Sequence, residues 1–99
     1  MAEVTLQGTL VVGPNELFKC ASGKTAKVKY IKLYNSIAYN VTLSKFDFDI
    51  SSTINLYSLT LDPGDSVSDD TQYLLQGKDS ISVTNSAVNT TYLILLDVV

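Results

Sequence analysis

Lys27-Val28-Lys29-Tyr30-Ile31-Lys32-Leu33-Tyr34 is the stretch that decides the fold class. Its residues alternate with period two, as half-buried strands do and helices do not. The alternation changes phase part-way. Val28 opposes Lys27 and Lys29, whereas Ile31 and Leu33 take over the apolar face from Lys32 and Tyr34. A single extra residue reconciles the two halves, so a β-bulge is expected near Tyr30. Tyr39 to Ile50 shows the same slip, with Val41 and Leu43 in one phase and Phe46, Phe48 and Ile50 in the other. Two successive strands that change phase together predict a bent hairpin, with Lys27 facing Asp47 across it.

The rest of the chain reads the same way. A strand is expected over Glu3–Val12, ended by Gly13-Pro14-Asn15, because proline cannot donate to a ladder. Short strands follow at Leu17–Cys20, Ser66–Ser68 and Gln72–Gln76, and longer ones at Ile54–Leu61, Ser80–Thr84 and Thr91–Val98. Asp62-Pro63-Gly64-Asp65 is a turn in which Pro63 presets φ and Gly64 supplies the positive φ of a type II turn. Turns recur every 8–12 residues and no segment has helical periodicity. This predicts one all-β domain over residues 1–99: an antiparallel β-sandwich of about eight strands, jelly-roll-like or Ig-like.

Composition narrows the function. The 99 residues carry seven lysines, no arginine and ten Asp or Glu, for a net charge of −3. An acidic chain without arginine lacks the cationic surface that phosphate backbones demand, so no nucleic-acid partner is expected. No polybasic cluster and no apolar run of spanning length points to a membrane, and no signal peptide is read at Met1-Ala2-Glu3-Val4. Charged residues make up 17% of the chain, below the ~25% of ordinary domains, as expected where surface faces protein.

Chemistry has few footholds. There is no histidine, so Cys20, the only cysteine, has no imidazole to activate it and reads as a small buried thiol. Asp62, Asp65, Asp69 and Asp70 cluster, but their spacing is not that of a calcium loop. Asp47 and Asp49 share a strand face and read as solvated surface rather than a hydrolytic pair. Gly23-Lys24-Thr25 lacks the upstream glycine and following helix of a phosphate loop, and Asn40 and Asn89 head chance glycosylation triplets. Catalytic, cofactor and metal residues are therefore expected to be absent. Six tyrosines (Tyr30, Tyr34, Tyr39, Tyr57, Tyr73 and Tyr92) can instead bury a ring and expose a hydroxyl, which suits either interfaces or sandwich edges. The Val- and Leu-rich last strand offers an edge for strand addition by a neighbour.

Two stretches carry a resemblance. Ala21-Ser22-Gly23-Lys24-Thr25-Ala26-Lys27-Val28 leads to Ile31, Leu33 and Asn35. Leu59-Thr60-Leu61-Asp62-Pro63-Gly64-Asp65-Ser66 precedes Tyr73-Leu74-Leu75 and Gly77-Lys78-Asp79-Ser80-Ile81-Ser82-Val83. Together they resemble a family of small virion proteins of tailed bacteriophages, over residues 17 to 99. Gly77-Lys78-Asp79 departs from the family, which has Gly directly before Asp. The resemblance implies a structural, non-enzymatic β-sandwich of the virion, made in the host cytoplasm. In that family a capsid decoration (cement) protein fits the size, assembling as a homo-oligomer, as a trimer for instance, on the major capsid protein. A head–tail or tail component and a carbohydrate-binding adhesion module are the alternatives.

Overall fold

A computed structural model describes residues 2–99 and shows nine strands: β1 Ala2–Thr9, β2 Gly13–Lys19, β3 Thr25–Tyr34, β4 Tyr39–Asp47, β5 Ser52–Leu61, β6 Ser66–Asp69, β7 Tyr73–Gln76, β8 Ser80–Asn85 and β9 Thr91–Val98. All pairs are antiparallel. The pairing is nested. β4 pairs β5, β3 pairs β6 and β7, β2 pairs β8, and β1 pairs β9. Successive nested pairs alternate between sheets, giving β1-β9-β3-β6/β7 in one sheet and β2-β8-β4-β5 in the other. One long hairpin has been rolled up, which is the jelly-roll form of the sandwich. β6 and β7 lie end to end on the same side of β3, so nine strands fill eight places.

Alternation explains which side chains meet between the sheets. β3 sends in Ala26, Val28, Ile31 and Leu33; β9 sends Ile94 and Leu96; β4 sends Val41 and Leu43; β8 sends Ile81 and Val83. All ten are at most 1% exposed. Truncating any of the leucines or isoleucines among them to alanine costs on the order of 2–5 kcal/mol. The molecule measures 40 × 27 × 20 Å. The short axis is that of two sheets about 10 Å apart with a coat of outer side chains.

The bulge in β3 is present. Val28 pairs with Leu96 and Tyr30 with Leu95, which leaves Lys29 as the extra residue. The Asp62–Asp65 turn also forms, with Gly64 at φ +82° and the Asp65 N–H donating to the Asp62 carbonyl at 3.1 Å.

Other expectations need correction. β3 and β4 are not a hairpin, because they belong to different sheets. The slip beside β4 arises in its partner: Leu43 pairs with Tyr57 and Ser44 with Asn55, so the extra residue is Leu56 of β5. Phe48 and Ile50 fall in the following turn, 43% and 63% exposed. Lys27 faces Asp97 rather than Asp47, and Lys29 reaches the Asp97 carboxylate at 3.6 Å. Gly13-Pro14-Asn15 does not end a strand. The chain changes sheets at Leu10–Val12 and resumes at Gly13, where Pro14 is tolerated because β2 is an edge strand. Asn15 supports this entry, accepting from the Val11 N–H at 2.9 Å and donating to the Gly13 carbonyl at 2.9 Å. The last strand is not an edge. β9 is paired on both sides, by β1 and β3.

Candidate functional site

The structure places the residues that sequence reasoning considered for chemistry at turns, strand ends and exposed positions. Cys20 is 1% exposed at the β2–β3 turn, and burial followed by the nearby Asp79 charge pushes its thiol above the ordinary range. Asp47 accepts from the Asp49 N–H at 3.1 Å, which shapes the β4–β5 turn. Asp69 ends β6, where it accepts from the Thr71 N–H at 2.9 Å and the Tyr73 hydroxyl at 2.7 Å. Burial opposes its ionisation, but these bonds outweigh it and hold the carboxyl below the usual value. The same contact works on Tyr73, whose phenol is pushed up to about 12 by burial and by the Asp69 carboxylate. Among the described residues no three Asp, Glu or Cys side chains are placed to hold a metal. Gly23 sits at φ +77° in a turn that leads into β3, and Asn40 and Asn89 are exposed.

The tyrosines divide between the two roles. Tyr39 is 2% exposed, and its hydroxyl donates to the Asp65 carbonyl at 2.8 Å, pinning the β5–β6 turn. Tyr57 and Tyr73 flank Asp69 in a depression of about 300 Å³ between β5 and β6/β7. Tyr57 is strongly raised by burial, and its hydroxyl is enclosed without a hydrogen-bond partner. Tyr30, Tyr34 and Tyr92 lie toward the outer side or end of the β1-β9-β3-β6 sheet. The Tyr30 hydroxyl donates to Ser68 Oγ at 3.2 Å, Tyr34 is 42% exposed, and Tyr92 lays its ring over Gly8.

The sheet edges and outer faces differ among themselves. Each sheet has one protected edge and one open edge. β2 is protected by Pro14, Glu16 and Lys19, and β6/β7 by its interruption at Asp70–Gln72. β1 carries only Glu3. β5, Ser52–Leu61, has ten residues without a charge, a proline or a glycine, and leaves Ile54 43% and Leu59 39% exposed. Its sequence signal was legible, but the sequence alone pointed to the wrong edge, β9.

The two outer faces also differ. Over β8, β4 and β5 the outward positions other than Phe46 are hydroxyl- and amide-bearing, with Thr42 and Ser58 joined at 2.9 Å and Ser44 donating to Asn55 Oδ1 at 2.9 Å. Over the other sheet a groove of about 780 Å³ opens at one end, between Gln7 of β1 and Ser66 of β6. Its floor is built from residues far apart in sequence that only the β1-β9-β3-β6 register brings side by side.

No known family pattern matches the chain, and no curated protein matches it. A solved structure from work on Bacillus endospore appendages, described there as a novel family of disulfide-linked pili, is similar in fold. It matches with a TM-score of 0.62 and 13% identity over 98% of this chain and 82% of that one. At that identity the likeness is one of architecture: an antiparallel sandwich shared with a structural appendage protein.

Proposed function

We propose that this chain is a non-enzymatic structural subunit that works by assembling with further protein, itself included. The observation that carries the reading is the open edge of β5. Its ten uncharged residues, interrupted only by the bulge at Leu56, turn every second residue's N–H and C=O to the free side, an arrangement that folded monomers ordinarily blunt with charge or proline as well. A strand added there forms about ten backbone hydrogen bonds at ~1 kcal/mol net each. Association costs roughly 4–15 kcal/mol, so the edge alone is marginal and needs Ile54, Leu59 and repetition across many copies. Such a balance suits a particle or fibre component. The sequence resemblance supports the bacteriophage virion as its setting, as a capsid decoration protein on the major capsid protein, made in the host cytoplasm and trimeric in the assembled state. The fold likeness supports a second setting, a surface appendage. In either setting the burial of Cys20 favours non-covalent joining.

The experiment is to measure mass in solution for the wild type and for Ile54→Lys/Leu59→Lys across a concentration series. The wild type is expected to form oligomers or filaments. The variant is expected to stay monomeric while keeping the wild-type β-sheet signature; with Ile54 43% and Leu59 39% exposed, a modest fall in melting temperature accompanies the change without altering the reading of the mass. A wild type that is monomeric at every concentration and never sediments with particles would overturn the proposal.

A further inference from the structure

We propose that the groove at the end of the β1-β9-β3-β6 sheet is a binding site for an acidic saccharide. The register lays two rows of outward side chains across four strands. Thr9, Thr91, Tyr34 and Ser66 form the outer row, and Gln7, Leu93, Lys32 and Ser68 the inner one. All four residues of the outer row carry hydroxyls, and Gln7 and Ser68 add an amide and a hydroxyl to the inner one; each can donate and accept toward the hydroxyls of a sugar. The exposed Tyr34 ring adds an apolar face against which the C–H side of a pyranose can lie, with its own hydroxyl at the rim. A concave site with one aromatic surface and several convergent polar groups is the pattern of a small-ligand site.

Lys32 gives the site its charge preference. At the other end of the same sheet cations are matched, with Lys29 on Asp97 and Lys27 across from it. Lys32 has no such partner: its neighbours in the row are Leu93, Gln7 and Ser68, and among the described residues it makes no ion pair. It is the single charged residue lining the groove, in a chain whose net charge is −3. A ligand carrying one carboxylate among hydroxyls satisfies that cation.

The test is an amide chemical-shift titration with an oligosaccharide of hexuronate units and with its neutral hexose counterpart of equal length. Shifts are expected at Gln7, Lys32, Tyr34 and Thr91, saturating with the acidic probe. An exposed ion pair implies a preference for the acid of about threefold, shrinking as salt is added. Lys32→Gln should leave neutral-sugar binding intact and abolish that preference. Tyr34→Ala should weaken both probes about tenfold, whereas Tyr34→Phe, which keeps the ring, should not. No shifts with either probe, shifts confined to another surface, or a preference that survives Lys32→Gln would overturn the proposal. So would concentration-dependent broadening confined to these residues in the absence of sugar, measured on the Ile54→Lys/Leu59→Lys background that keeps the β5 edge unpaired, since a second copy would then occupy the groove. None of these outcomes bears on the β5 edge, so the two proposals fail separately.

Discussion

Strand β8 is bracketed by two different kinds of buried polar residue, Asp79 just before it and Asn85 at its end, and the contrast explains how the roll is closed. Asp79, Ile81, Val83 and Asn85 share its buried face, with Asp79 5% and Asn85 2% exposed. At the Asp79 end the surroundings supply donors only. The carboxylate accepts from the Phe48 N–H at 2.9 Å and the Gln76 N–H at 3.0 Å, with Lys45 Nζ at 3.7 Å. At the Asn85 end the surroundings need both kinds of partner. Asn85 donates to the Ala87 carbonyl at 2.7 Å and accepts from the Thr90 hydroxyl at 2.9 Å, while Thr90 accepts from Asn35 Nδ2 at 2.8 Å. A carboxylate cannot donate, so only an amide can serve there. Both hubs staple one sheet to the other. The ends are thus closed within the chain, and edges and outer faces are left for partners.

The largest expected effect breaks the neutral end. Asn85→Ala removes the donor to the Ala87 carbonyl and the acceptor of the Ala87 N–H, leaves the Thr90 hydroxyl only its longer contact to the Ala87 carbonyl at 3.2 Å, and opens a cavity in a sealed interior. The cost should be about 3–4 kcal/mol, read from denaturant midpoints, since each unsatisfied buried group costs roughly 1–3 kcal/mol. The loss should be flat with pH, because nothing in that network titrates. A loss that varied between pH 3 and pH 7 would break the distinction between the ends.

The charged end should give a smaller loss with a pH signature. Asp79→Asn keeps one acceptor oxygen but turns an amide toward an N–H, costing about 2–3 kcal/mol at neutral pH. Burial raises the carboxyl, yet the Phe48 and Gln76 N–H groups and Lys45 together hold it below its ordinary 3.8. A depressed carboxylate stabilises the fold fully above its unfolded value and progressively less as pH falls through the folded one. The difference between wild type and Asp79→Asn should therefore be constant above about pH 5 and narrow toward pH 2. Asp69 is also depressed, so the wild type weakens in acid through two groups, and only the difference isolates Asp79.

Local signals in the sequence were sufficient for part of this structure. The bulge at Lys29 followed from the phase of Val28 against Ile31 and Leu33, and the Asp62–Asp65 turn from Pro63 and Gly64. Both depend on neighbours a few residues apart. Nested pairing does not. It places β9 between β1 and β3, carries Pro14 to an edge, and separates β3 from β4, all by contacts distant in sequence. The groove was hidden for the same reason, since Gln7, Lys32 and Leu93 become neighbours only through register. The two hubs were partly visible. Extending the Ile81 and Val83 alternation by two residues each way reaches Asp79 and Asn85, but turn composition at both places masked the period. Lys78 adds to that masking. It adopts φ +71° with its N–H on the Cys20 carbonyl, while a Cβ on Gly77 would come within 3.1 Å of the Gly23 nitrogen.

The smallest effect sharpens the comparison by asking how much of the charged end is Coulombic. Lys45 is 24% exposed and its ammonium stands 3.7 Å from Asp79, beyond a tight charged hydrogen bond. Lys45→Gln should therefore cost only about 0.5–1 kcal/mol at neutral pH. The two backbone N–H donors stay in place, so the carboxylate keeps most of its support. Losing the ammonium still raises the folded Asp79 value toward the ordinary one. Stability that depends on the ionised carboxylate is then lost earlier on the way down, and the acid-unfolding midpoint should move to higher pH. A midpoint that does not move would assign the depression of Asp79 to its backbone donors alone. The charged end would then differ from the neutral end in protonation but not in electrostatic pairing.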